Sequence, residues 1–261
     1  MLLHQHFAPT KNPRGTVLIA HGYGEHHGRF HTLWEDLNHA GWDAISYDHY
    51  GHGEALGPRA RVDVGQLITD HVQARRDALQ IARTPDLVLF GHSMGGLIAT
   101  ASAEIDPTHI TALVLTGPAF KPRPSAPMWL TRTMKPVARL LPWLPVARLH
   151  SQDIARDPAV VQSYLDDPAV YVGPVQALTG VTMTMQGRQT LDRAGKLHAP
   201  LLILQGEDDL IVDPSGAEEL AASCNCTDVT LRIVDHAFHE LLNDIEGPQL
   251  RSFIIDWLSR R

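Results

Sequence analysis

Leu87-Val88-Leu89-Phe90-Gly91-His92-Ser93-Met94-Gly95-Gly96-Leu97-Ile98-Ala99 is the stretch on which the fold turns. Leu87–Phe90 reads as a buried strand, and the small-residue run after Met94 reads as a buried helix. Between them Gly91 to Gly95 fits the pattern Gly-x-Ser-x-Gly. The bare pattern is common, but placed between a strand and a helix it is what a nucleophile elbow requires. Glycines flank the serine because a side chain would clash in so sharp a turn. The turn lifts the Ser93 hydroxyl clear of the sheet edge. Dehalogenase or epoxide-hydrolase chemistry would want a carboxylate at position 93, and serine stands there.

Outward from the elbow, strand and helix patterns alternate. On the N-terminal side, Thr16–Ala20 reads as a strand ending at His21-Gly22. Phe30, Leu33, Trp34, Leu37 and Ala40 recur at helical spacing before Gly41, Trp42 to Tyr47 returns to strand, and Leu67, Ile68, Val72, Leu79 and Ala82 mark a second helix. On the C-terminal side, Ile110 to Leu115 is a strand, and the rhythm breaks at Gly117-Pro118. It resumes with a strand at Leu201–Leu204, a helix from about Pro214, a strand at Val229–Val234 and a last helix carrying Leu250, Phe253, Ile254, Trp257 and Leu258 on one face. This alternation predicts an α/β fold with a mostly parallel central sheet and helices on both faces. Residues 1–117 and 197–261 are expected to form the core, and 118–196 an inserted helical lid.

The 261-residue chain is long enough to bury a large core without staples. Its balance of 22 basic and 29 acidic residues, −7 overall, argues against a nucleic-acid partner. Cys224 and Cys226 neither frame a disulfide-rich domain nor match zinc-ligand spacing. No basic segment followed by an apolar run opens the chain, and no apolar stretch approaches the ~18 residues of a membrane span. The expectation is a cytoplasmic protein, peripheral at most to a membrane. No histidine set with metal spacing falls on one predicted helix face, so neither metal nor organic cofactor is expected.

The insertion has its own composition. No acidic residue lies between Asp106 and Asp153, yet Lys121, Arg123, Arg132, Lys135, Arg139 and Arg148 do. Leu130, Met134, Val137, Leu141 and Leu144 recur at helical spacing, and Pro136 predicts two short helices rather than one. The apolar side chains, among them Trp129, Leu130, Met134, Leu141 and Leu144, suit an acyl pocket or a lipid surface, and the basic ones an anionic membrane.

A serine hydroxyl needs a neighbouring base to become a nucleophile. In this architecture an acid and then a histidine follow the serine in chain order. Gly206-Glu207-Asp208-Asp209 follows one predicted strand, and Asp235-His236-Ala237-Phe238-His239 follows another. Spacing leaves His236 and His239 as rivals, and likewise Asp208, Asp209 and Asp213. An oxyanion hole would draw on the backbone N–H of Met94, the residue after the nucleophile, and on that of Tyr23 in His21-Gly22-Tyr23-Gly24.

Taken together, these residues resemble the monoacylglycerol lipase and lysophospholipase-like branch of the α/β-hydrolase superfamily, over nearly the whole chain. The resemblance rests on His21-Gly22-Tyr23-Gly24-Glu25-His26-His27-Gly28-Arg29-Phe30 and Gly91-His92-Ser93-Met94-Gly95-Gly96. It is supported by Asp48-His49-Tyr50-Gly51-His52-Gly53, Gly206-Glu207-Asp208-Asp209 and His239-Glu240. It implies Ser93 as nucleophile, Asp209 as acid, His239 as base, and the Tyr23 and Met94 amides as oxyanion donors. The chain departs from the family at Glu54, where relatives usually carry serine, and in the lid.

The implied activity is cleavage of monoacylglycerols to fatty acid and glycerol through an acyl-enzyme. The alternatives are a lysophospholipase or broad carboxylesterase, and a catalytically dead hydrolase used as a binding protein. A peptidase is disfavoured because the lid lacks an acidic cluster for a free amino terminus. Glu25 and Arg29 are expected either to bind the polar head of the substrate or to form a local ion pair four residues apart.

Overall fold

The computed structural model describes residues 2–124 and 126–261. The N-terminal half runs β1 (Leu3–His6), β2 (Thr16–Ala20), α1 (His31–His39), β3 (Asp43–Tyr47), α2 (Val64–Ile81), β4 (Leu87–His92), α3 (Met94–Ile105) and β5 (Ile110–Thr116). Then come α4 (Met128–Leu140), β6 (Pro145–Ala147), α5 (Pro158–Asp166), β7 (Val175–Gln176) and α6 (Ala177–Asp192). The chain closes with β8 (Leu201–Gly206), α7 (Ser215–Ser223), β9 (Val229–Val234) and α8 (Gly247–Leu258).

Seven strands form one sheet in the order β1-β3-β2-β4-β5-β8-β9, with β1 antiparallel to β3 and every other pairing parallel. Every residue of β2, β3, β4 and β8 is buried, the signature of parallel strands covered on both faces. Side chains alternate between two apolar layers. Val17, Ile19, Val88, Phe90 and Leu202 pack under α1 and α8, whereas Leu18, Leu89, Leu113, Leu115 and Ile203 pack under α2, α3 and α7. The mostly parallel sheet expected from the sequence is therefore the one observed.

Three features differ from the sequence expectation. β1 adds an antiparallel edge strand. Pro136 lies inside a single helix, α4, rather than dividing two. Proline removes the bond to the carbonyl four residues back, here Arg132, and both residues are exposed on the surface of the helix. Finally, α6 is not set apart from the core. It packs on α2 and α3, where Thr179 Oγ1 accepts the Val62 N–H at 2.9 Å and Thr182 Oγ1 accepts the Val64 N–H at 3.1 Å.

Buried histidines gather where β2 and β3 end: His21, His49 and His52, with His71 hydrogen-bonded to Tyr47. Burial holds His52 down to about 4 and His71 to about 3, and pushes His21 and His49 well below 6.5. The folded state binds fewer protons here than the unfolded chain, so this stability is complete above about pH 6.5 and is lost toward pH 4. Each such histidine costs about 1.4 kcal/mol per pH unit in that window. Glu104, raised to about 8 by burial, offsets part of the loss. Urea midpoints measured at pH 7.5, 6 and 5 are expected to fall steeply with acidification.

Candidate active site

Ser93 joins β4 to α3 at φ 51° and ψ −118°, a conformation that L-residues rarely adopt. The neighbouring chain is tight enough to require glycine. A Cβ on Gly95 would lie 2.1 Å from the Ala20 carbonyl oxygen, and one on Gly91 would lie 2.4 Å from the Gly95 oxygen. The turn is held by Ser93 N–H donating to Thr116 O at 2.9 Å. Its carbonyl accepts from Leu97 at 3.2 Å and from Ala119 at 3.0 Å.

Of the rival acids and histidines, Asp209 and His239 are the pair that meet near Ser93. His239 Nδ1 lies 2.7 Å from Asp209 Oδ2, both residues are buried, and His239 shares a cavity with Ser93. Asp209 Oδ1 accepts the Ile211 and Val212 N–H groups at 2.8 and 3.0 Å, and Gln205 Nε2 donates to Oδ2 at 3.0 Å. Asp209 is therefore fully hydrogen-bonded, and although burial works to raise it, His239 and these donors keep it low. His236, by contrast, has an 82% exposed side chain and pairs with Glu207 and Asp208, while Asp213 caps α7 and pairs with Arg123.

Burial alone lowers a histidine, but the charge and hydrogen bond of Asp209, with Glu240 and Glu25 beyond, raise His239 above 6.5. His92, 4.8 Å away between ring centroids, has no carboxylate partner, and burial followed by the His239 charge lowers it to about 4. One imidazole of the pair is thus held more basic than a free histidine and the other less basic.

The loop after β2 carries Tyr23, and Met94 opens α3, so the Met94 N–H has no acceptor within its helix. His21 Nε2 accepts the His49 N–H at 3.0 Å, which leaves the ring proton on Nδ1 to donate to Gly22 O at 2.8 Å. Gly22 N–H donates to Glu25 Oε1 at 2.5 Å.

Ser93 and Tyr23 stand between two cavities. One, of about 270 Å³, is largely apolar and is lined by Leu130, Met134, Val146, Val181, Met183 and Ile211 among others. The other, of about 40 Å³, is narrow and has a larger polar share, and joins His239 to Glu25, Glu240, Tyr164 and Tyr171. Of the residues the sequence offers as acyl contacts, Leu130 and Met134 line the apolar cavity and Trp129, Leu141 and Leu144 do not. Arg29 lines neither cavity. It pairs with Glu25 at 3.1 Å and with Glu240 at 3.1 Å, so the local ion pair, extended by a second acid, is the arrangement present. The sequence assigns no role to Gln205, His92 or Glu240. The signal for Gln205 was a lone polar side chain in an otherwise apolar strand.

A strained serine on a strand–helix elbow, a buried histidine–carboxylate pair and an apolar cavity define a serine ester hydrolase on the α/β-hydrolase fold. The family model described as serine aminopeptidase, S33 matches residues 11–246, and the chain belongs to that family. Among relatives, the monoacylglycerol lipase of Mycolicibacterium smegmatis is 31% identical, across 98% of this chain and 92% of that protein. Human monoglyceride lipase is 30% identical, across 100% and 87%. The crystal structure of Paleococcus ferrophilus monoacylglycerol lipase superposes with a TM-score of 0.87 at 30% identity, covering 99% of this chain and 98% of that one.

Substituting Asp209→Asn removes the largest charge that raises His239 and leaves burial opposed only by the weaker pull of Glu240 and Glu25. The imidazole is then expected to titrate lower than in wild type, as read by NMR of its ring protons.

Proposed function

We propose that the chain hydrolyses monoacylglycerols to fatty acid and glycerol, with Ser93, His239 and Asp209 as its triad and residues 118–196 as its lid. The observation that carries this reading is the asymmetry about Ser93. A largely apolar cavity of about 270 Å³ suits an acyl chain, and a narrow one of about 40 Å³, bordered by Glu25 and Glu240, suits a small polyol leaving group. Two carboxylates, Glu25 and Glu240, face the polar side against the single guanidinium of Arg29. A phosphate head group would meet like charge there, which favours the neutral glyceryl ester over a lysophospholipid.

Ser93 Oγ attacks the ester carbonyl carbon as His239 Nε2 takes its proton. Asp209 holds the imidazole in the required tautomer and stabilises its charged form. The Tyr23 and Met94 N–H groups receive the oxyanion, and one such donor is worth ~2.7–4 kcal/mol. Collapse expels the glyceryl oxygen, which takes the proton from His239 and leaves the acyl group on Ser93. Water then enters, gives a proton to His239 and attacks the acyl carbon. Fatty acid leaves, and the proton returns to Ser93.

The lid's outer surface supports contact with an anionic lipid surface. Trp129 is 68% exposed and Leu140 77%, with Leu141, Trp143 and Leu144 also exposed. Among the described residues, Arg132, Lys135, Arg139 and Arg148 have no ion-pair partner. Apolar anchors surrounded by unpaired cations suit an interface carrying negative charge. Among the described residues, no helix is long and apolar enough to cross a membrane. Cosedimentation with phosphatidylserine vesicles is expected to exceed that with phosphatidylcholine and to fall when Arg132, Lys135 and Arg139 are replaced by glutamate. Equal binding to both vesicles would contradict the reading.

The substrate reading is tested by fatty-acid release from a long-chain 1-monoacylglycerol and the matching lysophosphatidylcholine. The monoacylglycerol is expected to be cleaved faster, and Ser93→Ala is expected to abolish release, with a loss on the order of 10⁶-fold. Preference for the lysophospholipid would keep the chemistry and change the substrate. No release from either would overturn the enzyme reading.

A further inference from the structure

Acyl transfer by a serine–histidine–aspartate triad needs no carboxylate at position 25, yet Glu25 is buried beside the reacting centre with both oxygens engaged. Oε1 accepts the Gly22 N–H at 2.5 Å, and Oε2 accepts from Arg29 Nε at 3.1 Å. The same guanidinium reaches Glu240 Oε2 at 3.1 Å and lies over the Tyr164 ring, 4.8 Å from its centroid. Glu240 follows His239 directly, and its own N–H donates to Ile154 O at 2.7 Å. A buried Glu25–Arg29–Glu240 bridge therefore ties the loop after β2 to the loop after β9. Those two strands lie on opposite sides of β4, whose end carries Ser93.

The bridge acts where orientation matters. Glu25 holds the N–H of Gly22, and His21 Nδ1 holds its C=O at 2.8 Å. The next peptide is planar and trans, so fixing the Gly22 C=O fixes the Tyr23 N–H pointing the opposite way. Beyond it, Gly24 O accepts the Tyr171 N–H at 2.6 Å. A hydrogen bond from a backbone N–H to a charged carboxylate is about twice as strong as a neutral one. Burial and the neighbouring Glu240 raise Glu25 to about 7, while Arg29 and the Gly22 N–H favour its charged form.

We propose that Glu25 is a positioning residue, whose carboxylate, braced by Arg29 and Glu240, anchors Gly22 through its N–H and so, together with His21 on the Gly22 C=O, sets the orientation of the Gly22–Tyr23 peptide and hence of the Tyr23 N–H that receives the oxyanion. This role rests on the proposed reading of Ser93 and Tyr23. It differs from the sequence expectation that Glu25 binds the substrate's polar head, because a head-group contact would govern KM, whereas a positioned oxyanion donor governs kcat.

The test compares wild type, Glu25→Gln, Glu25→Ala and Arg29→Lys in monoacylglycerol hydrolysis. Rates are referred to sites titrated with a fluorophosphonate, so that unfolded protein does not count. Affinity for an alkylboronic acid, which forms an oxyanion-bearing adduct on serine, is measured alongside. Glu25→Gln keeps an acceptor oxygen for Gly22 but loses the charge. It is expected to lower kcat about 10–100-fold with KM within about twofold, and to weaken the boronic acid in step. Glu25→Ala is expected to fall further, and Arg29→Lys, which keeps a cation, to fall less. A rise in KM at constant kcat would overturn the proposal in favour of head-group binding. Unchanged kcat and boronic-acid affinity with lowered thermal stability would overturn it in favour of a purely structural ion pair. If wild type cleaves no ester, or Ser93→Ala still does, the reading beneath the proposal fails and the positioning role fails with it.

Discussion

The left-handed backbone at Ser93 is the constraint on which the rest of the site depends. A non-glycine residue in that conformation costs about 1–3 kcal/mol and persists only where the surroundings over-determine it. Here they do. Thr116, Leu97 and Ala119 fix both polar groups of the Ser93 backbone, and Gly91 and Gly95 let α3 begin in direct contact with the end of β2. That contact also sets where the β2 loop can lie, so the elbow and the Gly22–Tyr23 peptide are parts of one packed arrangement.

Electrostatics divide the buried histidines by their partners. His21, His49, His52, His71 and His92 are all lowered, with burial the largest cause. His239 is as buried as they are and yet is raised, because Asp209 faces its Nδ1. The same low-dielectric interior thus produces several rings that resist protonation and one that accepts a proton more readily than a free histidine. Glu25 and Glu240 form a second charged unit around Arg29, and it sits on the side of Ser93 where a leaving group would stand.

Much of this was legible in the sequence because buried parallel strands read as unbroken apolar runs. Thr16–Ala20, Leu87–Phe90 and Leu201–Leu204 needed no context to be recognised, and the Gly91–Gly95 turn followed from the strand before it. β1, β6 and β7 were not legible. They are two to four residues long and rich in histidine or bounded by proline, so no period could emerge. Histidine spacing could not separate His236 from His239, since both follow the same strand and only burial distinguishes them. The lid showed the same limit. Apolar residues surround α4 on more than one side, so periodicity identified a helix without saying that Leu130 and Met134 face the cavity while Trp129 faces out. Pro136 was read as a break because sequence carries no information on whether the freed carbonyl will meet water.

The central claim is that this constrained serine is the nucleophile of the site. It is tested most directly by intact-mass and peptide-mapping mass spectrometry after exposure to a long-chain fluorophosphonate. The account predicts one adduct per chain, on the peptide carrying Ser93, formed far more slowly when His239 is replaced by alanine. An unmodified protein, or an adduct on another residue, would contradict it.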